Sequence, residues 1–305
     1  MVRKEMPSPQ SRIFRPVWGR LTARVASFAT PQEMRASQER WISRPILPRG
    51  VSLQKVSAGG VPAEWLIPAA DGANGVLLYL HGGAWTMGWY QPHRWLVSHL
   101  ARATGRRALA IDYRLAPEHP FPAALEDCLA AYRWLLANGT RPEQIVLGGD
   151  SAGGNLTLTT MLALRDGGEP LPAAGVCLSP VTNLAGTGRS EPAPDDAGLP
   201  VEWAAEQLRH YLGGADPHLP LVSPFCADLP GLPPLLIQVG GEEHLLSDVQ
   251  RFVPRADAAG VDVTLQVWPG MWHVWHILVP FMPESSQAVA AIATFCRQHQ
   301  GRQEN

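Results

Sequence analysis

From Val76 onward, short apolar runs alternate with longer stretches of helical periodicity, the pattern that βαβ units and a mostly parallel sheet produce. The runs predict strands at Gly75 to Leu80, Arg107 to Ile111, Gln144 to Leu147, Ala174 to Leu178, Pro234 to Val239 and Val261 to Val267. Several are apolar without alternation, as strands covered by helices on both faces require. Helices are predicted between them at Pro92 to Ala103, Phe121 to Asn138, Ala152 to Arg165, Ser247 to Ala259 and Glu284 to Gln298. Upstream, Val51 to Val56 and Val61 to Ile67 flank Ala58-Gly59-Gly60 and predict an antiparallel hairpin that opens the sheet. The fold class is therefore α/β, with a mostly parallel sheet of eight strands.

Two segments fall outside this rhythm, about the first 45 residues and the stretch from Asn183 to Pro233. Both hold amphipathic fragments, Arg12 to Phe28 and Pro200 to Leu212, broken by Pro and Gly. They are expected to form a helical cap over the carboxyl edge of the sheet, where open α/β sheets bind ligands. The expected organisation is an N-terminal cap segment over 1–50, a core built from 51–182 and 234–305, and a cap insertion over 183–233.

Charged residues make up only 17% of the chain and the formal net charge is -2. With Lys and Arg scattered, no basic field forms to hold nucleic acid or anionic lipid, so the expected partner is a small, nearly neutral molecule. No segment reaches the ~18 apolar residues of a membrane span. The basic N-terminus, with Arg3, Lys4, Arg12, Arg15, Arg20 and Arg24, lacks the apolar stretch of a signal peptide, and the chain is read as cytoplasmic. Cys128, Cys177, Cys226 and Cys296 lie far apart without CxxC spacing, in the apolar contexts of reduced thiols.

Candidate chemistry centres on Gly149-Asp150-Ser151-Ala152-Gly153-Gly154, set between the apolar run Ile145 to Leu147 and the helical run Leu156 to Leu164. A serine at a tight strand-to-helix turn needs small neighbours, and the turn exposes its Oγ at a helix N-terminus that favours developing negative charge. Ser151 is therefore the candidate nucleophile. The run His81-Gly82-Gly83-Ala84-Trp85 follows the strand ending at Leu80. Acyl transfer needs main-chain N–H groups aimed at the nascent oxyanion, and a glycine-rich loop can supply them. Gly82, Gly83 and Ala84 make up that loop, with the N–H groups of Gly83, Ala84 and Ala152 as donors. His81 reads as a structural hydrogen-bonding residue.

A base must reach the serine, and the chain order on such a sheet is nucleophile, acid, histidine. Trp268-Pro269-Gly270-Met271-Trp272-His273 follows the last predicted strand and offers His273, with His276 as the rival. The acid should follow the strand ending at Val239, where Glu242, Glu243 and Asp248 compete. Asp248 suits a helix N-terminus beside Ser247. Of the two glutamates at the loop tip Glu243 is preferred, and Glu serves as well as Asp because its task is to orient the imidazole.

Assembled in order, four motifs resemble the hormone-sensitive-lipase-like family of bacterial carboxylesterases over roughly Val51 to Arg297. They are His81 to Trp85, then Asp112-Tyr113-Arg114-Leu115-Ala116-Pro117-Glu118-His119-Pro120-Phe121-Pro122-Ala123-Ala124, then Gly149 to Leu156, and Gly270 to His273. The second run has no catalytic reading, and its Arg114 and Glu118 look like scaffold. The resemblance implies an α/β-hydrolase fold, Ser151 as nucleophile, His273 as base and main-chain donors at Gly83, Ala84 and Ala152. The chain departs from the family pattern twice, with Ala84 where a third glycine is common and Glu243 where Asp is usual.

The implied activity is hydrolysis of short- to medium-chain carboxylic esters through an acyl-enzyme, with no metal or organic cofactor. Trp85, Trp272 and Trp275 flank the motifs and point to an apolar pocket, with Trp85 as a candidate substrate contact. A lactonase or amidase would use the same residues. A non-enzymatic receptor on this fold typically lacks a triad member, whereas Ser151 and His273 are both present. A homodimer through an edge strand occurs in related proteins, though nothing in this chain demands one.

Overall fold

The eight predicted strands pair into one sheet in a computed structural model that describes residues 7–39, 45–69, 75–187 and 200–299. Parts of both predicted cap segments, 1–6, 40–44 and 188–199, lie outside the described residues. In chain order the elements are α1 (Pro9–Ala26), α2 (Pro31–Glu39), β1 (Val51–Ala58), β2 (Val61–Pro68), β3 (Val76–Leu80), α3 (Gln91–Thr104), β4 (Arg107–Ile111) and α4 (Ala123–Ala137). They continue as β5 (Ile145–Asp150), α5 (Ala152–Asp166), β6 (Ala174–Leu178), α6 (Val201–Leu212), β7 (Leu235–Gly240), α7 (Leu246–Ala258), β8 (Val263–Trp268) and α8 (Pro283–Gln298). The sheet order is β1-β2-β4-β3-β5-β6-β7-β8, with β2 antiparallel to both its neighbours and every later pairing parallel.

Strands that are apolar at every position still alternate their faces. Leu78, Leu80, Ile145 and Leu147 enter a core layer with Tyr132 and Leu135 of α4, Leu156 and Met161 of α5, and Phe252 of α7. Leu77, Tyr79 and Val146, between them in sequence, enter a layer on the opposite face with Leu96, Val97 and Leu100 of α3 and Ile292 and Phe295 of α8. The two-sided burial explains why these runs carry no polar positions.

Most element ends shift by one to three residues from expectation, and two differences stand out. β5 continues to Asp150 rather than ending at Leu147, because Gly148 and Gly149 pair with Tyr79 and Leu80 of β3 and do not form a turn. In the N-terminal segment, α2 forms after α1 as a separate helix. α1 begins at a capped turn, where Ser8 Oγ accepts the Ser11 N–H at 3.2 Å ahead of Pro9.

The helices outside the βαβ rhythm pack over the loops that follow β3 and β8. Phe14 and Trp18 of α1 lie against Trp268, Met271, Trp272 and Trp275. Val25 and Ala26 join Met34 of α2, Trp203 of α6, and Ala84 and Met87 of the loop after β3. Glu118 binds Arg35 and accepts from Gln32 Nε2 of α2 at 2.6 Å, while Arg114 donates from Nε to Asp127 at 2.9 Å. No described helix is long and apolar enough to cross a membrane.

A buried ion pair links β2 to α3. Arg94 donates from Nε and Nη2 to the two oxygens of Glu64 at 2.6 and 2.9 Å, and Trp89 Nε1 donates to Glu64 at 2.7 Å. Removing one partner of such a pair strands a buried charge, whereas replacing both does not. Glu64→Gln should lower stability by about 3–5 kcal/mol, and the double variant Glu64→Gln/Arg94→Met should recover most of the loss. Chemical denaturation of the three proteins measures both effects.

Candidate active site

β5 runs straight into Ser151, which has φ 53° and ψ -116°, a conformation that L-residues avoid. The turn is this sharp because α5 and β3 approach with almost no gap. A Cβ on Gly149 would lie 2.4 Å from both the Leu80 and Gly153 carbonyl oxygens, and one on Gly153 would lie 1.9 Å from that of Leu80. The Ser151 N–H donates to Leu178 of β6 at 2.8 Å, while its carbonyl accepts from Asn155 at 3.1 Å and Val181 at 3.3 Å. Sheet and helix together over-determine the strained residue.

His273 follows β8 through a turn at Pro269 and Gly270. Its Nε2 lies 2.9 Å from Ser151 Oγ and its Nδ1 lies 2.9 Å from Glu243 Oε2. A carboxylate only accepts, so it fixes the tautomer: Nδ1 carries the proton and Nε2 presents its lone pair to the serine hydroxyl. Glu243 is buried just after β7, where its Oε1 accepts the Gly240 N–H at 2.6 Å and the Ser179 hydroxyl at 2.6 Å.

The rival residues are engaged elsewhere. His276 is fully buried and donates from Nε2 to Gln238 Oε1 at 3.0 Å; burial pushes its imidazole down to about 3. Glu242 pairs with Arg15 of α1 at 2.7 Å. Asp248 lies in the first turn of α7, where it pairs with Arg251 and accepts from Asn183 Nδ2 at 3.2 Å.

The loop after β3 holds three consecutive left-handed residues, Gly83, Ala84 and Trp85, with φ of 116°, 52° and 58°. Its first peptide is pinned from β5, since Gly82 N–H donates to Asp150 Oδ1 at 3.0 Å. Gly82 is thereby committed as an anchor, not a free donor. The N–H groups of Gly83 and Ala84 meet no acceptor among the described residues, and Ala152 opens α5 with a first-turn N–H that has no intrahelical acceptor. Asp150 also accepts from Tyr79 Oη at 2.7 Å and lies 3.3 Å from His93 Nε2. Burial alone would raise its carboxyl, but His93, Tyr79 and the Gly82 N–H hold it down to about 2.

His81 is buried, stacks on Tyr113 with ring centroids 4.2 Å apart, and is pushed down to about 3 by burial. Trp85, read as a substrate contact, is 3% exposed, and its ring stacks on Tyr211 of α6 at 4.2 Å. That indole packs the loop against α6. Sequence reasoning did not single out Ser179 or the Asp150 anchor. A Ser-Pro pair closing an apolar strand beside the strand that leads into Ser151 was the available signal for the first. Among the described residues no group of three or more His, Cys, Asp or Glu is placed to hold a metal ion.

Known proteins share this architecture. A family model for the alpha/beta hydrolase fold matches residues 77–277. An esterase from the bacterial hormone-sensitive lipase family superposes with a TM-score of 0.88 at 44% identity, covering 97% of this chain and 100% of that one. The chain therefore belongs to the hormone-sensitive-lipase-like carboxylesterases of the α/β-hydrolase fold. Similar in sequence are an acetyl-hydrolase of Streptomyces hygroscopicus, 46% identical over 79% of this chain and 81% of that protein, and an esterase of Acinetobacter venetianus, 38% identical over 80% and 82%. The protein is a carboxylic ester hydrolase.

The close approach around Ser151 gives a direct test. Gly153→Ala would set a methyl carbon against the Leu80 carbonyl and should cost more than about 3 kcal/mol or abolish soluble protein. Gly88→Ala, whose new carbon would meet its nearest atoms at 3.7 and 3.8 Å, should stay within ~1 kcal/mol. Thermal melts of the two variants separate the cases.

Proposed function

We propose that the protein hydrolyses short- to medium-chain carboxylic esters through an acyl-enzyme on Ser151, with His273 as general base and Glu243 as the orienting acid. The observation that carries this reading is the unbroken chain from Ser151 Oγ to His273 Nε2 and from His273 Nδ1 to Glu243, each link 2.9 Å. Ser151 Oγ attacks the ester carbonyl as His273 takes its proton, and Glu243 steadies the imidazolium. The N–H groups of Gly83, Ala84 and Ala152 receive the oxyanion, and Gly82 holds their loop in place. His273 then protonates the departing alcohol, and water repeats the cycle to release the acid.

The segments 1–50 and 183–233 act in this reading as one cap over the core formed by 51–182 and 234–305. Support comes from α1, α2 and α6, which meet at Ala84 through Met34, Met87 and Trp203. These buried side chains wall off one side of the oxyanion loop, which favours compact acyl or alcohol groups.

Ser151→Ala should lower kcat by about 10⁶-fold and Glu243→Gln by about 10⁴-fold, with both proteins folded. Glu242→Gln should stay close to the parent, since its ion pair is partly exposed. The pH profile of kcat/KM should carry one acid limb that His273→Ala abolishes and His276→Ala retains, because an imidazole held near 3 is neutral throughout the assay range. Retention of the limb in His273→Ala would move the base to another residue.

Chain-length selectivity is tested with p-nitrophenyl acetate, butyrate, octanoate and palmitate. The value of kcat/KM should peak at the short or medium esters, and Trp203→Ala should extend activity toward the longer ones. A parent enzyme that prefers palmitate sinks the size argument.

A further inference from the structure

Ser179 belongs to none of the four motifs, yet its hydroxyl joins two of the three proposed catalytic segments. Its Oγ donates to Glu243 Oε1 at 2.6 Å and accepts the N–H of Val274, the residue after His273, at 3.2 Å. The preceding residue reaches the third segment, for the Leu178 carbonyl accepts the Ser151 N–H at 2.8 Å. Two consecutive residues at the carboxyl end of β6 thus bind the nucleophile's backbone, the acid's side chain and the base's loop.

The backbone here is held against its own preference. Ser179 has φ 47° and Val274 has φ 52°, both non-glycine residues in the left-handed region, and the second is β-branched. Such conformations persist only where the surroundings fix them. Ser179 is fully buried, and its own N–H donates to Gln238 of β7 at 2.7 Å. The hydroxyl hydrogen bond between these two strained residues spans 95 positions of sequence.

We infer that Ser179 is a positioning residue for ester hydrolysis, its hydroxyl clamping the Glu243 carboxylate and the His273 loop to one another. The inference rests on the reading of Ser151, His273 and Glu243 as the triad. A hydroxyl donating to a carboxylate forms a short charge-assisted bond that draws negative charge toward Oε1. Without it, Glu243 keeps the Gly240 N–H, the carboxylate charge bears more strongly on His273, and the Val274 N–H is left buried without its acceptor. The imidazolium is then favoured at equilibrium while its loop loses an anchor. The acid limb of the rate profile moves to higher pH, and attack slows because the imidazole is less well aligned.

Two variants isolate the hydroxyl from the backbone. Ser179→Ala removes the hydroxyl but keeps the strained φ, whereas Ser179→Gly removes it and relieves the strain. Both should lose about 10- to 100-fold in kcat with KM little changed, and both should shift the acid limb upward by ~0.5 pH unit. Ser179→Gly should melt at or above Ser179→Ala without recovering the rate. In the Glu243→Gln background, adding Ser179→Ala should cost clearly less than it does in the parent, because part of the hydroxyl's effect passes through that carboxylate. Parent-like rates in both variants, a rate loss that follows melting temperature with an unmoved acid limb, or full additivity with Glu243→Gln would overturn the inference. An active Ser151→Ala or Glu243→Gln measured alongside would instead overturn the triad reading, and this inference with it.

Discussion

A carboxylate taken out of water must be met by donors, since its unpaired burial costs several kcal/mol. The site buries two, Asp150 and Glu243, on either side of the strand-to-helix turn at Ser151. Each is satisfied from several elements at once. Asp150 gathers Tyr79 of β3, the Gly82 peptide and His93 of α3; Glu243 gathers Gly240 of β7, Ser179 beyond β6 and His273 beyond β8. Satisfying these charges ties together the loops proposed to carry the chemistry, so the demands of burial and of geometry coincide.

Backbone strain follows the same map. Among the described residues, the non-glycine residues with left-handed φ are Ala84, Trp85, Ser151, Ser179 and Val274, all in or beside the loops that converge on Ser151. Their cost is carried by a sheet whose inner strands are buried on both faces and by glycines that let β3, β5 and α5 meet without side chains between them. In the proposed mechanism, rigidity of this kind pre-orients donors and nucleophile before any ester arrives.

Much of this was legible in the chain. Apolar runs placed the strands, and the setting of Ser151 between a strand and a helix marked the turn, because both signals are local in sequence. Glu243 was harder to tell from Glu242 and Asp248, since all three share one loop and the start of α7. What separates them is which side chain turns back under β7, which is decided by Gly240 and the β8 loop. The extension of β5 through Gly148 and Gly149 was hidden because glycine pairs usually signal turns; here they mark the absence of space. Ser179 was invisible for another reason. Its partners Glu243 and Val274 lie 64 and 95 positions away, and no periodicity encodes a contact of that range. The stacking of Trp85 on Tyr211 was equally hidden, because an aromatic beside a glycine-rich motif carries no local sign of a partner 126 positions away.

The bond from Gly82 to Asp150 makes the loop after β3 and the turn at Ser151 a single module that is discontinuous in sequence, with Tyr79 and His93 as its remaining fasteners. Transplanting the His81 to Trp85 loop into another scaffold would carry only half of that module. A recipient lacking an acid before its serine, or a histidine on the following helix, would receive the glycines without the anchor that aims them. Recombination between distant members of the fold should therefore exchange β3, α3 and β5 as a block.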